Sequence, residues 1–192
     1  MEQITLEING KSVQAAKGAT ILQAAKAAGI KIPTLCDDDR LEPYGACRMC
    51  MVEIVKHGRS RLVASCLFPV EEGLSVQTES PKVTSIRKMI IELLWPAFQE
   101  YAQEYGVTKS RFHPGMTDCS LCGMCVRYCA EVKKENALYF KGRGIDRIPE
   151  LIDGAHDQCG QCRECFDLCS GGWVVASRAS QPTVSSPDRC GN

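Results

Sequence analysis

Residues 3–8 alternate between polar and apolar side chains, and several later segments of the first 80 residues are rich in β-forming residues. Alternation of this kind predicts half-buried strands. The segments lie at residues 3–8, 11–15, 51–55, 61–65 and 74–78. Asn9-Gly10 predicts a hairpin between the first two, and Thr20 and Gly29 are suited to cap a helix that follows them. A hairpin, a helix and further strands predict a small mixed α+β domain over residues 1–80.

Helical periodicity replaces this pattern after residue 80. Ser80 is a favourable N-cap, and Pro81 is tolerated in the first turn of a helix. The apolar residues at helical spacing are Val83, Ile86, Ile90, Leu93 and Leu94. They predict an amphipathic helix over residues 82–94, with Arg87 and Lys88 on its solvent-facing side.

The remainder of the chain divides into three further stretches. A second helix is predicted over residues 97–105, so that residues 81–110 form a helical connector, and its segment WPAFQEYAQEY looks exposed enough to meet a partner. Residues 111–175 form a cysteine-rich domain. Residues 176–192 are rich in Ser and Pro without periodicity, which is typical of a disordered tail.

Composition restricts the chemistry. Thirteen residues are cysteine, which leaves disulfides, zinc or iron–sulfur clusters as explanations. The first residues show no signal peptide and no apolar run is long enough for a membrane span, so we expect a cytoplasmic protein without disulfides. Lys and Arg number 23, as do Asp and Glu, and this balance gives no field to attract nucleic acid or a membrane surface.

The spacing C-x2-C-x2-C-x3-C occurs twice, at residues 119–129 and 159–169. It is close to the bacterial ferredoxin run, in which each [4Fe–4S] cluster takes three thiolates from one run and the fourth from the other. Zinc sites use C-x2-C pairs rather than triplets, and zinc remains the alternative. Site A is predicted to contain Cys119, Cys122, Cys125 and Cys169, and site B is predicted to contain Cys129, Cys159, Cys162 and Cys165.

Four more cysteines form an upstream set whose spacing is neither zinc-like nor that of plant ferredoxins. Gly45 and Ala46 stand directly before the second of them. They permit either an ordinary tight turn or a close approach of the backbone to a cluster. The upstream set consists of Cys36, Cys47, Cys50 and Cys66.

The stretches GACRMCMVEI, RLVASCLFPVEEGLSVQTESPKV and IRKMIIELL resemble the N-terminal part of the large iron–sulfur subunit of complex I. They are equally similar to subunits of NAD-linked hydrogenases, formate dehydrogenases and electron-bifurcating flavoenzymes. CSLCGMCVRYC followed by FKGRG continues the resemblance. It implies a [2Fe–2S] cluster on the upstream set in a β-grasp domain, and then two [4Fe–4S] clusters in a bacterial 2[4Fe–4S] ferredoxin-like domain. Residues 67–118 contain no cysteine, so the His-ligated cluster of most such subunits is expected to be missing.

The resemblance also implies partners. We expect an electron-transfer subunit that works beside a flavoprotein binding FMN and NAD(P), often with a thioredoxin-like [2Fe–2S] subunit. At the end of the cluster chain away from the flavoprotein, the partner would be a soluble ferredoxin or another redox subunit. This is the arrangement expected of a bifurcating transhydrogenase, a hydrogenase or a formate dehydrogenase. The alternatives are a free-standing multi-cluster ferredoxin and a zinc-stabilised interaction module.

The other candidate residues carry less chemistry. No Gly-rich phosphate loop and no nucleophile–base set occurs, so no catalytic residue is assigned. We expect the three histidines to lie at the surface. We expect Cys190 to be an unpaired thiol in the tail. Three arginines lie within the cysteine loops, where they would raise local potentials or simply be solvated. These residues are His57, His113, His156, Arg48, Arg127 and Arg163.

Overall fold

The chain divides into two compact units in a computed structural model that describes residues 2–94, 99–112, 119–155, 159 and 161–169. Unit 1 comprises Met1–Asp38 and Glu42–Pro114. Unit 2 comprises Asp39–Leu41 and Gly115–Asn192. None of the helices in the described ranges is long and apolar enough to cross a membrane.

Unit 1 is built on a five-stranded mixed sheet, which confirms the expected mixed α and β content of the first domain. The strands are β1 Gln3–Ile8, β2 Lys11–Ala16, β3 Met51–Lys56, β4 Arg59–Ala64 and β5 Ser75–Gln77. Their order in the sheet is β2-β1-β5-β3-β4, so the last strand of unit 1 along the chain is the central one. Strand β5 pairs parallel to β1 and antiparallel to β3, while β1–β2 and β3–β4 are antiparallel hairpins.

Helix α1, Ile21–Ala27, packs against one face of this sheet. Thr20 accepts from the backbone of Gln23, whose side chain accepts from the Thr20 backbone, which is a capping box. At the other end Gly29 has φ of 69°, as its predicted position after the helix requires. Alternate residues of the strands complete the core with the helix, among them Leu6, Ile8, Val13, Val52, Ile54 and Val76.

Helix α2, Pro81–Leu93, begins at the predicted N-cap Ser80, but its buried face differs from the predicted one. Its buried residues are Val83, Arg87, Ile90 and Ile91. The placement of Arg87 on the solvent side is therefore wrong, because its side chain is 0% exposed. Leu93, predicted to be on the apolar face, is 44% exposed. Lys88 is exposed, as expected.

Helix α3, Gln99–Glu104, confirms the second helix of the predicted connector. The view of this segment as an exposed surface is wrong for Ala102 and Tyr105, which are buried. Tyr105 points its hydroxyl at Arg87 of α2, so the segment is held against the rest of unit 1. Residues 95–98 lie outside the described residues.

Unit 2 contains helix α4, Met124–Glu131, and a two-stranded antiparallel sheet. The strands are β6 Leu138–Lys141 and β7 Ile148–Leu151, with a 3-10 turn at Gly144–Asp146 between them. The apolar core consists of Leu41, Met124, Tyr128, Ala137, Leu138, Leu151, Cys165 and Leu168. The predicted tail, together with His113, His156 and Cys190, lies outside the described residues.

Candidate metal centres

The twelve cysteines that the structure describes form no disulfide with one another. The sequence assigns four of them each to the upstream set, site A and site B. Eleven of the twelve are buried or half-buried, and Cys162 is exposed. Thiols in such numbers without disulfide bonds are suited to hold metal.

The β3–β4 hairpin brings two thiols of the upstream set together. Cys50 directly precedes β3 and Cys66 follows β4, and the register pairs Met51 with Ala64. The two sulfur atoms consequently lie 3.4 Å apart, both in side chains that are buried. Ser65 fixes this arrangement, because its backbone N–H and its hydroxyl both donate to the carbonyl oxygen of Cys50.

Backbone amides approach the other two thiols of the upstream set. The N–H of Cys47 donates to the sulfur of Cys36 at 3.4 Å, and the N–H of Met49 donates to the sulfur of Cys47 at 3.4 Å. Such donors stabilise thiolate ligands and raise the potential of a cluster bound to them. The loop therefore presents N–H groups to its sulfur atoms.

Gly45 adopts the conformation of a tight turn, which is one of the two roles that the sequence left open, and the approach of its backbone to a cluster stays a prediction. Its φ of 66° belongs to the left-handed region, as a tight turn needs. A Cβ atom at this position would also lie 2.3 Å from Cδ1 of Leu67, the residue after Cys66. The absence of a side chain thus lets the Gly45 segment lie directly against the Cys66 segment.

The thiols of the upstream set do not ionise independently. The hydrogen bond with Cys66 lowers the pKa of Cys50 to about 6. The same hydrogen bond, and then burial, raise the pKa of Cys66. The hydrogen bond with Cys36, and then burial, raise the pKa of Cys47. A metal ion deprotonates the thiols that coordinate it. The positive charge of bound iron would therefore compensate the buried thiolates of the upstream set.

In unit 2 the four thiols of site B line one largely apolar cavity. Burial, and then the neighbouring Cys159, raise the pKa of Cys165 to about 12. Lys133 and Tyr128 also line the cavity, and both contact Glu164. The site B thiols in this cavity are Cys129, Cys159, Cys162 and Cys165.

The four thiols of site A lie near one another as well. Burial raises the pKa of Cys125, and the neighbouring sulfurs of Cys165 and of the three other site A cysteines raise it further. Burial likewise raises the pKa of Cys119, with Cys122 and Cys169 adding to it. Cys165 of site B is among the neighbours that raise the pKa of Cys125, so sites A and B lie near each other in unit 2.

Tight C-x2-C loops in both units contain a non-glycine residue in the left-handed region. These residues are Arg48, Leu121 and Arg163, with φ of 62°, 54° and 52°. Two of these turns direct a backbone donor at sulfur, since the N–H of Met49 donates to Cys47 and that of Leu121 donates to Cys119. The N–H of Ala137, which follows α4, donates to Cys129. Sequence reasoning missed these conformations, because Arg and Leu rarely adopt them. The C-x2-C spacing was the available signal.

The arginines near the thiols have different surroundings. Arg127, for which a solvated position was one of two alternatives, is 9% exposed and pairs with Glu131 at 2.9 Å. Arg48 and Arg163 are exposed. Arg87 was not considered as part of a site, yet it donates to two carbonyls beside Cys50. Its spacing from Val83 and Ile90, which places it in the apolar row of α2, was the available signal for it.

These residues fit clusters with several iron atoms. Across the parts of the chain that the structure describes, no three His, Cys, Asp or Glu side chains are placed to bind one metal ion. A cluster divides its four thiolates over several iron atoms, so its ligands need not converge on one point. The paired sulfurs, the N–H donors and the apolar cavity match that requirement.

Comparison with known proteins points the same way. Residues 1–81 match the family described as a 2Fe-2S iron-sulfur cluster binding domain. The chain is also similar to a crystal structure of NAD+-reducing [NiFe]-hydrogenase in the H2-reduced state. That likeness has a TM-score of 0.70 and 31% identity, and it covers 79% of this chain and 76% of the hydrogenase chain.

Longer proteins match as well. The NADPH-Fe(3+) oxidoreductase subunit alpha of Geobacter sulfurreducens is 33% identical over 204 residues, covering 90% of this chain and 24% of that protein. The NADH-ubiquinone oxidoreductase 75 kDa subunit of Reclinomonas americana is 33% identical over 174 residues, covering 74% of this chain and 25% of that protein. The chain thus spans about a quarter of the length of these curated relatives.

Proposed function

The chain belongs to the family of iron–sulfur subunits found in complex I, NAD-linked hydrogenases and related NAD(P)H oxidoreductases, and we propose that it relays single electrons within such a complex. Its cofactors would be one [2Fe–2S] and two [4Fe–4S] clusters. The observation that carries the proposal is the convergence of the upstream thiols at the open end of the β3–β4 hairpin, inside the part matched by the 2Fe-2S family.

The upstream set would hold the [2Fe–2S] cluster. The sheet of unit 1 has one hairpin on each side of the central strand β5, and α1 packs against it. This arrangement supports a β-grasp domain. Burial of Cys36, Cys50 and Cys66 excludes water from one side of the site. Exclusion of water and N–H donors to sulfur are two of the means by which a protein sets a cluster potential.

Sites A and B would hold the two [4Fe–4S] clusters in a ferredoxin-like domain over residues 111–175. The repeated spacing supports this assignment, as do the common cavity of the site B thiols and the proximity of Cys125 to the other site A thiols. Clusters bound there would accept and release one electron at a time. The proximity of Cys125 and Cys165 would make the two clusters neighbours within unit 2.

The partners follow from the same role. A nicotinamide exchanges a hydride, so a flavin must divide the electron pair before clusters can carry it. We infer a flavoprotein partner that binds FMN and NAD(P), and a ferredoxin or another redox subunit at the other end of the relay. The proposal also includes a thioredoxin-like [2Fe–2S] subunit as a further partner and electron bifurcation as an activity of the whole complex. Substrate chemistry would belong to the partners.

The test is the iron and acid-labile sulfide content of the anaerobically purified chain, with low-temperature EPR after reduction. We expect about ten iron and about ten sulfide per chain. Two matched variants separate the sites: Cys66→Ser should retain about eight iron, and Cys165→Ser about six, because each loses one cluster. Zinc with little sulfide would contradict the proposal and favour a structural module.

The state of the purified protein distinguishes a subunit from a free-standing ferredoxin. A subunit should co-purify with a flavin-containing protein from its native source at low salt. A chain with all three clusters that purifies alone would contradict the subunit role and favour a diffusing carrier.

A further inference from the structure

Arg87 is buried completely in unit 1, and its guanidinium makes four hydrogen bonds. Nε donates to the carbonyl oxygen of Met49 at 3.0 Å, and Nη2 donates to that of Met51 at 2.8 Å. Nη1 donates to the carboxylate of Glu79 at 2.6 Å and to the hydroxyl of Tyr105 at 2.8 Å. An arginine remains charged in a protein, so a full positive charge is held inside this domain.

The two carbonyls that Arg87 binds lie on either side of Cys50 in the sequence. Because a trans peptide is planar, the N–H of Cys50 points away from the carbonyl of Met49 and hence away from Arg87. The carbonyl of Cys50 itself is held by the N–H and hydroxyl of Ser65, at 3.1 Å and 2.8 Å. Three consecutive carbonyls around this thiol are thus fixed by buried donors.

We propose that Arg87 is a positioning residue that fixes Cys50 in the [2Fe–2S] site and raises the reduction potential of the cluster. The inference rests on the proposed function, because it requires the upstream set to hold that cluster. The fork of Arg87 bridges two peptide groups that a single ammonium cannot bind in the same planar geometry.

The charge of Arg87 acts on the potential through a poorly screened interior. Reduction adds one negative charge to the cluster, and a buried positive charge favours that state. Glu79 pairs with Arg87, but its side chain is 56% exposed, so water screens the carboxylate more than the guanidinium. The net effect is a positive field beside Cys50.

The experiment uses the full chain, purified anaerobically, with the potential of the [2Fe–2S] signal followed by EPR. In Arg87→Met we expect the ratio of reduced to oxidised cluster at a fixed potential to fall about tenfold, which is a shift of about 59 mV for one electron. Glu79→Gln should shift the potential in the opposite direction, because it removes the counter-charge and leaves Arg87. Lys88→Met, the exposed neighbour on the same helix, should leave the potential unchanged.

Arg87→Lys separates the charge from the bridging geometry. The reduction potential of the [2Fe–2S] cluster should fall less in Arg87→Lys than in Arg87→Met, because lysine keeps the positive charge. The EPR line shape should still change, because the two carbonyls lose their common donor. A role confined to folding would alter stability without moving the potential.

The outcomes separate the two ideas. A wild-type chain without a [2Fe–2S] signal would refute the proposed function. A wild-type signal with the same potential in Arg87→Met would overturn the inference alone. If Arg87→Met fails to retain the cluster, Glu79→Gln decides: a higher potential supports the inference and an unchanged one overturns it.

Discussion

Individual residues in the cysteine loops adopt a backbone conformation that their side chains disfavour. Arg48, Leu121 and Arg163 all have φ between 50° and 65°, where a residue with a Cβ atom loses about 1–2 kcal/mol relative to the right-handed region. The adjacent amides then face sulfur atoms. These conformations lower the local stability of the loops but place donors around the thiols. Backbone strain of this kind is common at functional sites.

Two substitutions of Arg48 test this strain at the residue scale. Arg48→Gly and Arg48→Ala remove the same charge, but only glycine accepts the left-handed conformation without a steric penalty. We expect the glycine variant to be more stable than the alanine variant by about 1 kcal/mol. Anaerobic thermal unfolding of the cluster-loaded proteins measures the difference. Equal stability of the two variants would show that this turn is not strained.

Glu53 is the second residue with a measurable signature. Hydrogen bonds from Lys82 and then from Ser60 lower the pKa of its carboxyl to about 2. Because this pKa lies below the ordinary value of 4.5, the stabilisation is complete above about pH 4.5 and is lost as the pH falls towards about pH 2.

Glu53→Gln should therefore lower the unfolding midpoint by the same amount at about pH 8 and at about pH 5.5. Both conditions lie above the range in which the carboxyl titrates. Lys56→Met provides a control, since its partner Glu71 lies elsewhere on the surface. A destabilisation by Glu53→Gln that is as large at about pH 3.5 as at about pH 8 would contradict the lowered pKa, because a carboxyl with the ordinary value of 4.5 in the folded protein adds no pH-dependent stability.

At the scale of elements, helix α1 is defined at both ends. Its capping box joins Thr20 and Gln23, and the N–H of Ile30 donates to Ala25 beyond Gly29, which closes a Schellman motif. Short helices are marginal by themselves, so these ends matter for a helix that covers the sheet next to the cysteine loops.

Thr20→Ala should cost about 1 kcal/mol of stability, because the N–H of Gln23 loses its acceptor at a helix end. Thr20→Ser keeps the hydroxyl and should stay close to wild type. The free energy of unfolding in denaturant, measured on the loaded chain, compares the two. Equal losses in both variants would point to the methyl group rather than to the cap.

The elements show how far sequence reasoning reaches in this chain. Strand alternation, Asn9-Gly10 and the caps of α1 and α2 are local signals, and the structure follows them closely. Arg87 was misplaced because hydropathy assigns charged residues to the surface, while its burial depends on carbonyls far away in the sequence. Leu93 was misplaced because tertiary packing buries a different face of α2 from the one that hydropathy alone predicts.

The candidate site was partly predictable in the same sense. Cysteine spacing shows which thiols can share a loop, and the division of the thiols into three sites stays a prediction that the Cys50–Cys66 distance, the cavity of the site B thiols and the neighbours of Cys125 support. Residue type gave no sign of the left-handed residues between them. The contacts of Ser65 with Cys50 depend on the register of β3 and β4, which no single strand encodes.

At the scale of the whole molecule, the two units differ in how much apolar core they have. The core cluster of unit 1 contains seventeen buried residues and that of unit 2 contains eight, counted among the described residues. Several of the side chains packed around the second cluster are the cysteines of sites A and B. Unit 2 would therefore depend more than unit 1 on the metal that we propose for sites A and B.

Removal of iron by a chelator should expose unit 2 before unit 1. We expect the amides of α4, β6 and β7 to exchange hydrogen rapidly in the iron-depleted chain, while those of β1 and β5 stay protected. Hydrogen exchange followed by mass spectrometry resolves the two regions, with the loaded chain as control. Simultaneous loss of protection in both units would contradict this order.

The central position of β5 governs when the chain can mature during its synthesis. Glu7 and Ile8 pair with Ser75 and Val76, and all four upstream cysteines lie between these partners in the sequence. A nascent chain that ends before Gln77 already carries the thiols, but it lacks the strand that joins its two hairpins. We therefore expect the delivery of iron and sulfide to this domain to follow translation of β5, which would make cluster assembly a late step in the synthesis of the domain.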